Sequence, residues 1–182
     1  MQKFLIAYSS VDGQTLKICR HIQQVIENSG GTVVLFEIGS HSACDLAQYD
    51  TIVVGASIRY GKHRPDVYRF IETNRKILGG KHSAFFSVNV VARKPGKDTP
   101  EANPYLRTFI KKTDWTPNVL GVFAGKIDYP RYRFFDQHMI RLIMWMTNGP
   151  TDTASSTEFT DWNAVDRFAD KLLSASLQIR NP

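Results

Sequence analysis

The sequence predicts an α/β protein built on a doubly wound, five-stranded parallel sheet with helices on both faces. Two observations carry this: short apolar runs rich in Val, Ile and Phe alternate with helical patterns, and the first run opens straight into a hydroxyl-rich turn. Runs of that composition suit strands buried on both faces and joined by right-handed crossovers. Residues 4–8 form the first strand, and the stripe Ile18, Cys19, Ile22, Val25 and Ile26 makes the next segment a helix reaching about residue 28. Residues 32–38 and 51–55 are the second and third strands, and a helix presenting Val67, Phe70 and Ile71 follows. Residues 84–91 and 119–124 complete the sheet, and Trp162, Val165, Phe168, Ala169, Leu172 and Leu173 mark the last helix.

At 182 residues and 42% hydrophobic content the chain is one domain, residues 1–182, with a single core. The N-terminal apolar run is too short for a signal peptide, and no stretch of about 20 apolar residues is present to span a bilayer. Cys19 and Cys44 lack C-x-x-C spacing, which fits a reducing cytoplasm, and Cys19 reads as a small core residue. His21, His41, His63, His82 and His138 are dispersed without ligand spacing, so no metal site is expected and each belongs on the surface. A net charge of +6 points to an anionic partner: a nucleic acid, an acidic lipid surface or a carboxylate substrate.

Ligands of doubly wound sheets bind beyond the strand C-termini, where strand order switches, so the loops 9–15, 57–64 and 87–94 should converge. In the first, Ser9, Ser10, Val11, Asp12, Gly13, Gln14 and Thr15 precede a helix, so backbone N–H groups and hydroxyls can hold a phosphate dianion, as in flavin mononucleotide. A Gly-Lys-Ser/Thr triphosphate loop and a G-x-G-x-x-G fingerprint are both missing. An ordinary turn with Asp12 or Thr15 as N-cap is the competing reading. In the second loop, Ser57, Ile58, Arg59, Tyr60 and Gly61 offer close backbone approach, a stacking ring and a cation that favours an anionic reduced flavin. Ser87, Val88, Asn89 and Val90 supply hydrogen bonds to the flavin edge.

Two basic insertions exceed the minimal fold, about 93–115 and 126–157. The first carries Arg93, Lys94, Lys97, Arg107, Lys111 and Lys112 against three acids. In the second, residues 133–146 read as an amphipathic helix with Arg133, Gln137 and Arg141 on one face. Two settings suit such a helix: an anionic membrane interface, or packing on its own sheet or across a dimer.

The strings Asp12-Gly13-Gln14-Thr15, Gly55-Ala56-Ser57-Ile58-Arg59-Tyr60-Gly61, Phe86-Ser87-Val88-Asn89-Val90-Val91-Ala92-Arg93-Lys94-Pro95 and Tyr129-Pro130-Arg131-Tyr132-Arg133 carry a resemblance. They are similar to the flavodoxin-like, menaquinone-dependent protoporphyrinogen IX dehydrogenases of bacterial haem biosynthesis. The similarity covers nearly the whole chain, including the turn at Thr151, Asp152 and Thr153, which joins the cofactor-binding set. Val11 and Pro150 depart from the family pattern, which carries a basic and an acidic residue there. The resemblance implies a flavodoxin-like fold, non-covalent FMN and oxidation of protoporphyrinogen IX with menaquinone or ubiquinone as acceptor. It also implies peripheral attachment to an anionic membrane surface at the cytoplasmic face of the bacterial inner membrane. Arg93, Arg131 and Arg133 become the residues expected to meet the substrate's propionates, and no side chain is required as a catalytic base. Two rivals use the same fold, an NAD(P)H-dependent quinone reductase and a flavodoxin-type electron carrier; carriers are usually acidic and this chain is basic. No nucleic-acid motif accompanies the charge, and homo-oligomer formation stays open.

Overall fold

In chain order the elements are β1 (Lys3–Ser9), α1 (Gln14–Asn28), β2 (Thr32–Glu37), β3 (Thr51–Arg59), β4 (Lys62–His63), α2 (Pro65–Gly80), β5 (His82–Val88), α3 (Pro104–Thr113), β6 (Val119–Phe123), β7 (Lys126–Asp128), β8 (Ser156–Glu158) and α4 (Trp162–Gln178). The structure, a computed structural model, describes residues 1–40, 44–131, 138, 140, 141, 144, 152, 154 and 156–178. The parallel path runs β2-β1-β3-β5-β6, so the chain winds outward from β1 to β2, returns to β3 and winds the other way. That is the expected five-stranded, doubly wound sheet, with its switch in strand order between β1 and β3.

The helices divide between the two faces as the apolar periodicity requires. Val67, Ile71 and Leu78 of α2 and Leu106 and Phe109 of α3 cover Leu5, Ile52, Val54 and Phe85. On the opposite face Ile18, Cys19, Ile22 and Ile26 of α1 and Val165, Phe168 and Leu172 of α4 cover Phe4, Ile6, Val53 and Phe86. Alternate residues of each strand therefore feed alternate cores, and each fully buried apolar side chain contributes about 1.5–3 kcal/mol.

Four local features differ from the sequence expectation. β3 runs on to Arg59 because Ile58 and Arg59 pair with His63 and Lys62 of β4, closing a hairpin on Tyr60 and Gly61 at φ 51° and 75°. β5 stops at Val88, since the Asn89 side chain accepts from Ala92 N and folds Val90–Arg93 into a 3-10 turn. Part of the first insertion is α3, the crossover that parallel pairing of β5 with β6 demands, with Leu106, Phe109 and Trp115 in the core. β7 and β8 form a separate antiparallel pair within the second insertion.

His63 and His82 are buried, not on the surface. Cys19 is fully buried, and desolvation pushes its thiol up, out of reach of ionisation. Of the helix expected over 133–146, residues 138, 140, 141 and 144 are described and helical, and the rest lies outside the described residues. Among the described residues no helix is long and apolar enough to cross a membrane.

Gly55 is required by packing. A Cβ there would lie 2.2 Å from Phe86 Cζ, and Phe86 is itself held by Phe123 and Phe168. Gly55→Ala is expected to destabilise the fold by about 1–3 kcal/mol, read as a lowered midpoint in urea unfolding.

Candidate functional site

The three loops do converge. Asp12, Gln14 and Thr15 from the first, Ser57, Ile58, Arg59, Tyr60 and Gly61 from the second, and Val88, Asn89 and Val90 from the third line one cavity of about 450 Å³. It sits at the carboxyl edge of the sheet, at the switch in strand order.

Its first wall is the start of α1. Gly13 occupies the N-cap at φ +88°, a conformation open to glycine, and no side chain caps the helix. Nothing lies within 4 Å of where a Gly13 Cβ would stand, while the Gly13 amide donates to Ser10 Oγ at 3.1 Å. Thr15 is 1% exposed and its Oγ1 has no hydrogen-bond partner. An orphaned buried hydroxyl costs about 1–3 kcal/mol, and here it lines a cavity beside uncapped helix N–H groups. A phosphate dianion meets these donors, so the residues fit the phosphate end of a flavin nucleotide. Gln14 is anchored from behind: its Nε2 donates to Thr160 Oγ1 (2.9 Å), which donates to Ala124 O (2.8 Å).

The second wall is the β3–β4 hairpin. Arg59 Nη1 donates to Asp12 Oδ2 at 2.8 Å, tying this hairpin to the phosphate loop. Tyr60 is 59% exposed, with the Arg59 guanidinium 5.3 Å from its ring centroid. A non-glycine residue at φ 51° is costly unless its surroundings hold it, and the turn presents a large ring at the cavity mouth. Ser10 and Val11 do not line this cavity; with Lys62 and Arg64 they border an adjoining one of about 530 Å³.

The third wall separates Ser87 from its neighbours. The Ser87 hydroxyl is fully buried and engages His63 Nε2 (3.0 Å) and Asn89 Nδ2 (3.3 Å), so it faces the interior while Val88, Asn89 and Val90 face the cavity. Ser9 is likewise buried, its carbonyl accepting from Ser57 Oγ at 3.4 Å.

Residues beyond the minimal fold complete the lining. Arg93 donates to Val90 O at 3.1 Å and lies over the Phe159 ring, 5.9 Å from its centroid; partial burial pulls its pKa down. Lys94 stands beside it, and Lys126, paired with Asp128 at 2.9 Å, closes the rim. Tyr105, Ile127, Ile140 and Met144 form an apolar wall, with Met144 buried against Ile127 and Tyr129. Lys126 and this wall were not singled out in the sequence; the short pattern Lys126-Ile127-Asp128, a strand-like alternation just after β6, was the signal available. Asp152 is exposed, accepts from Ala154 N and does not reach the cavity. Arg131 ends a 3-10 turn (Tyr129–Arg131). Its side chain, with Arg133, Thr151 and Thr153, lies outside the described residues.

A phosphate-ready helix start, an aromatic hairpin and a polar strand end around one cavity are the parts of a flavodoxin, a flavin-binding α/β domain. A family model described as Flavodoxin domain matches residues 5–154, and the chain belongs to that family. Among its relatives, the protoporphyrinogen IX dehydrogenase (quinone) of Escherichia coli K12 is 40% identical over 167 residues, 92% of each chain. The Leishmania major protein of the same name is 38% identical over 97% of this chain and 77% of its own. Among solved structures, flavodoxin 1 from Bacillus cereus has a TM-score of 0.56 at 18% identity, covering 95% of this chain and 98% of its own. An archaeal flavodoxin scores 0.56 at 16% identity, covering 96% and 99%. These two share the fold.

His63 gives the site a pH signature. Burial among Tyr68, Phe85 and Phe109 lowers its pKa from 6.5 to about 4. The unfolded chain then binds more protons than the native one within that window, so stability is full above pH 6.5 and falls toward pH 4. The loss amounts to roughly 3 kcal/mol. Urea unfolding between pH 7 and 4 should show it, and His63→Gln should remove that part of the slope.

Proposed function

We propose that this protein holds FMN non-covalently and oxidises protoporphyrinogen IX to protoporphyrin IX, with menaquinone or ubiquinone as electron acceptor. The observation that carries the reading is one cavity combining an orphaned phosphate-facing hydroxyl, Thr15 Oγ1, with an apolar wall and a rim of Arg93, Lys94 and Lys126. The names of the two dehydrogenase relatives supply the substrate and acceptor.

Thr15 Oγ1 and the amides at the start of α1 hold the cofactor's phosphate. The hairpin Arg59, Tyr60 and Gly61 and the turn Val88, Asn89 and Val90 would border its ring system. Once bound, FMN supplies two-electron redox chemistry, so removing six electrons from the substrate takes three rounds. The substrate is a largely apolar macrocycle bearing two propionates. Tyr105, Ile127, Ile140 and Met144 exclude water from its hydrocarbon body, and Arg93, Lys94 and Lys126 pair with its carboxylates. Arg59, held by Asp12, keeps a cation beside the ring binding region and favours negative charge there. Among the described residues no side chain in the cavity is placed as an obligatory base, and the released protons pass to water or to a propionate. The second insertion, with Arg131 and Arg133, is the proposed contact with anionic lipid, which brings the site to a membrane-dissolved quinone at the cytoplasmic face.

The primary test is anaerobic mixing of FMN-loaded protein with protoporphyrinogen IX and a menaquinone analogue, followed by porphyrin fluorescence. Quinone-dependent porphyrin formation is the expected result; none, together with rapid flavin bleaching by NADPH, would make the protein a pyridine-nucleotide-driven reductase. Thr15→Val should weaken FMN binding about tenfold in a flavin-fluorescence titration, the worth of one hydrogen bond to a charged group. Arg93→Ala should raise KM for protoporphyrinogen about tenfold with little change in kcat, because it removes binding common to ground and transition states.

A further inference from the structure

We propose that His63 is a positioning residue that, through Ser87, Asn89 and Asn103, locks the Tyr60–Gly61 hairpin, the 88–90 turn and the Arg93–Lys94 rim into one rigid bracket around the flavin ring. The proposal rests on the flavin site described above and is independent of which substrate that site oxidises.

A continuous line of buried hydrogen bonds carries it. His63 lies opposite Ile58 in the hairpin and is 2% exposed. Its Nε2 meets Ser87 Oγ at 3.0 Å, Ser87 Oγ accepts from Asn89 Nδ2 at 3.3 Å, and Asn89 Oδ1 accepts from Ala92 N at 3.0 Å. Asn89 and Asn103 exchange amide hydrogen bonds at 3.2 and 3.4 Å. Asn103 in turn donates to Lys97 O at 2.8 Å and caps α3 by accepting from Tyr105 N and Leu106 N. One line therefore joins the hairpin, the end of β5, the turn that bears Arg93 and the helix that bears Tyr105.

The backbone donors fix the orientation of each group. Because Ala92 N donates to Asn89 Oδ1, the Asn89 NH₂ faces Ser87, and the Ser87 hydroxyl shares its other hydrogen bond with His63 Nε2, donating or accepting with the imidazole tautomer. Burial lowers the pKa of the His63 imidazole, so the ring is neutral at pH 7. Around it stand Phe85 and Phe109, with ring centroids 5.6 and 4.9 Å away. An apolar side chain would fill such a space without the desolvation cost of an imidazole, so what His63 adds is its hydrogen bond with Ser87.

The test compares His63→Leu, His63→Gln and Ser87→Ala with the native protein. It reads FMN affinity by flavin fluorescence, the visible flavin spectrum, apoprotein unfolding, and KM and kcat. His63→Leu is expected to weaken FMN binding about tenfold, the effect of one unmade buried hydrogen bond, and to shift the flavin absorption bands. It should also raise KM about tenfold with kcat little changed. His63→Gln, whose amide can donate to or accept from Ser87, should recover most of the affinity, and Ser87→Ala should reproduce the Leu phenotype. Native FMN affinity in His63→Leu overturns the proposal whatever its unfolding midpoint, as does a Gln variant no better than Leu. If His63→Leu does not fold, Ser87→Ala decides: a tenfold loss supports the bracket and native affinity overturns it. A native protein that binds FMN but leaves protoporphyrinogen untouched would remove the substrate reading, and the FMN arm alone would then decide the bracket.

Discussion

Three parallel strands share one register at their carboxyl ends, with Ser9 opposite Ala56 and Ala56 opposite Ser87, and every loop of the site departs from that row. The register is enforced from below by the two cores, since a slip of one residue would send Phe4, Ile6 and Phe86 to the wrong face. The small residues Gly55 and Ala56 at the centre of the row let neighbouring side chains close over the sheet end. Phe86 fills the space that Gly55 vacates, and the cavity opens immediately above. Binding geometry in this protein is therefore inherited from strand pairing more than from any one loop.

Charge is distributed with the same economy. Two of the wall cations are ion-paired, Arg59 with Asp12 and Lys126 with Asp128, and these pairs join segments far apart in sequence or hold a rim residue in place. Such half-buried pairs add little net stability, but they decide the direction in which a guanidinium or an ammonium points. Side chains held in this way have little rotamer freedom left to lose on any contact they make.

The strands and both helix layers were legible because each is a run of several apolar residues at one period, and the hydroxyl-rich turn before α1 because its Ser and Thr residues and Gly13 stand together in sequence. What escaped reading depends on distant partners. The hairpin at β4 has only two residues, and its pairing shows in three dimensions as Ile58 opposite His63. Likewise His63 reads as a lone polar residue until Ser87, 24 positions later, is placed beside it. α3 was obscured because Lys111 and Lys112 crowd its exposed face, although Leu106 and Phe109 keep core spacing. Ser87 carried the right chemistry for a ligand contact, but strand alternation turned its hydroxyl inward. Periodicity thus predicts which elements exist, and the facing of single polar residues awaits their neighbours.

The anchor behind Gln14 has a consequence for how the chain becomes competent to bind. Thr160, which steadies the first turn of α1, stands 146 positions along the chain from Gln14 and is itself held by Ala124 O. The start of α1 is therefore steadied by a non-local contact, and loosening of the segment before α4 would free the Gln14 side chain and slacken the loop that precedes it.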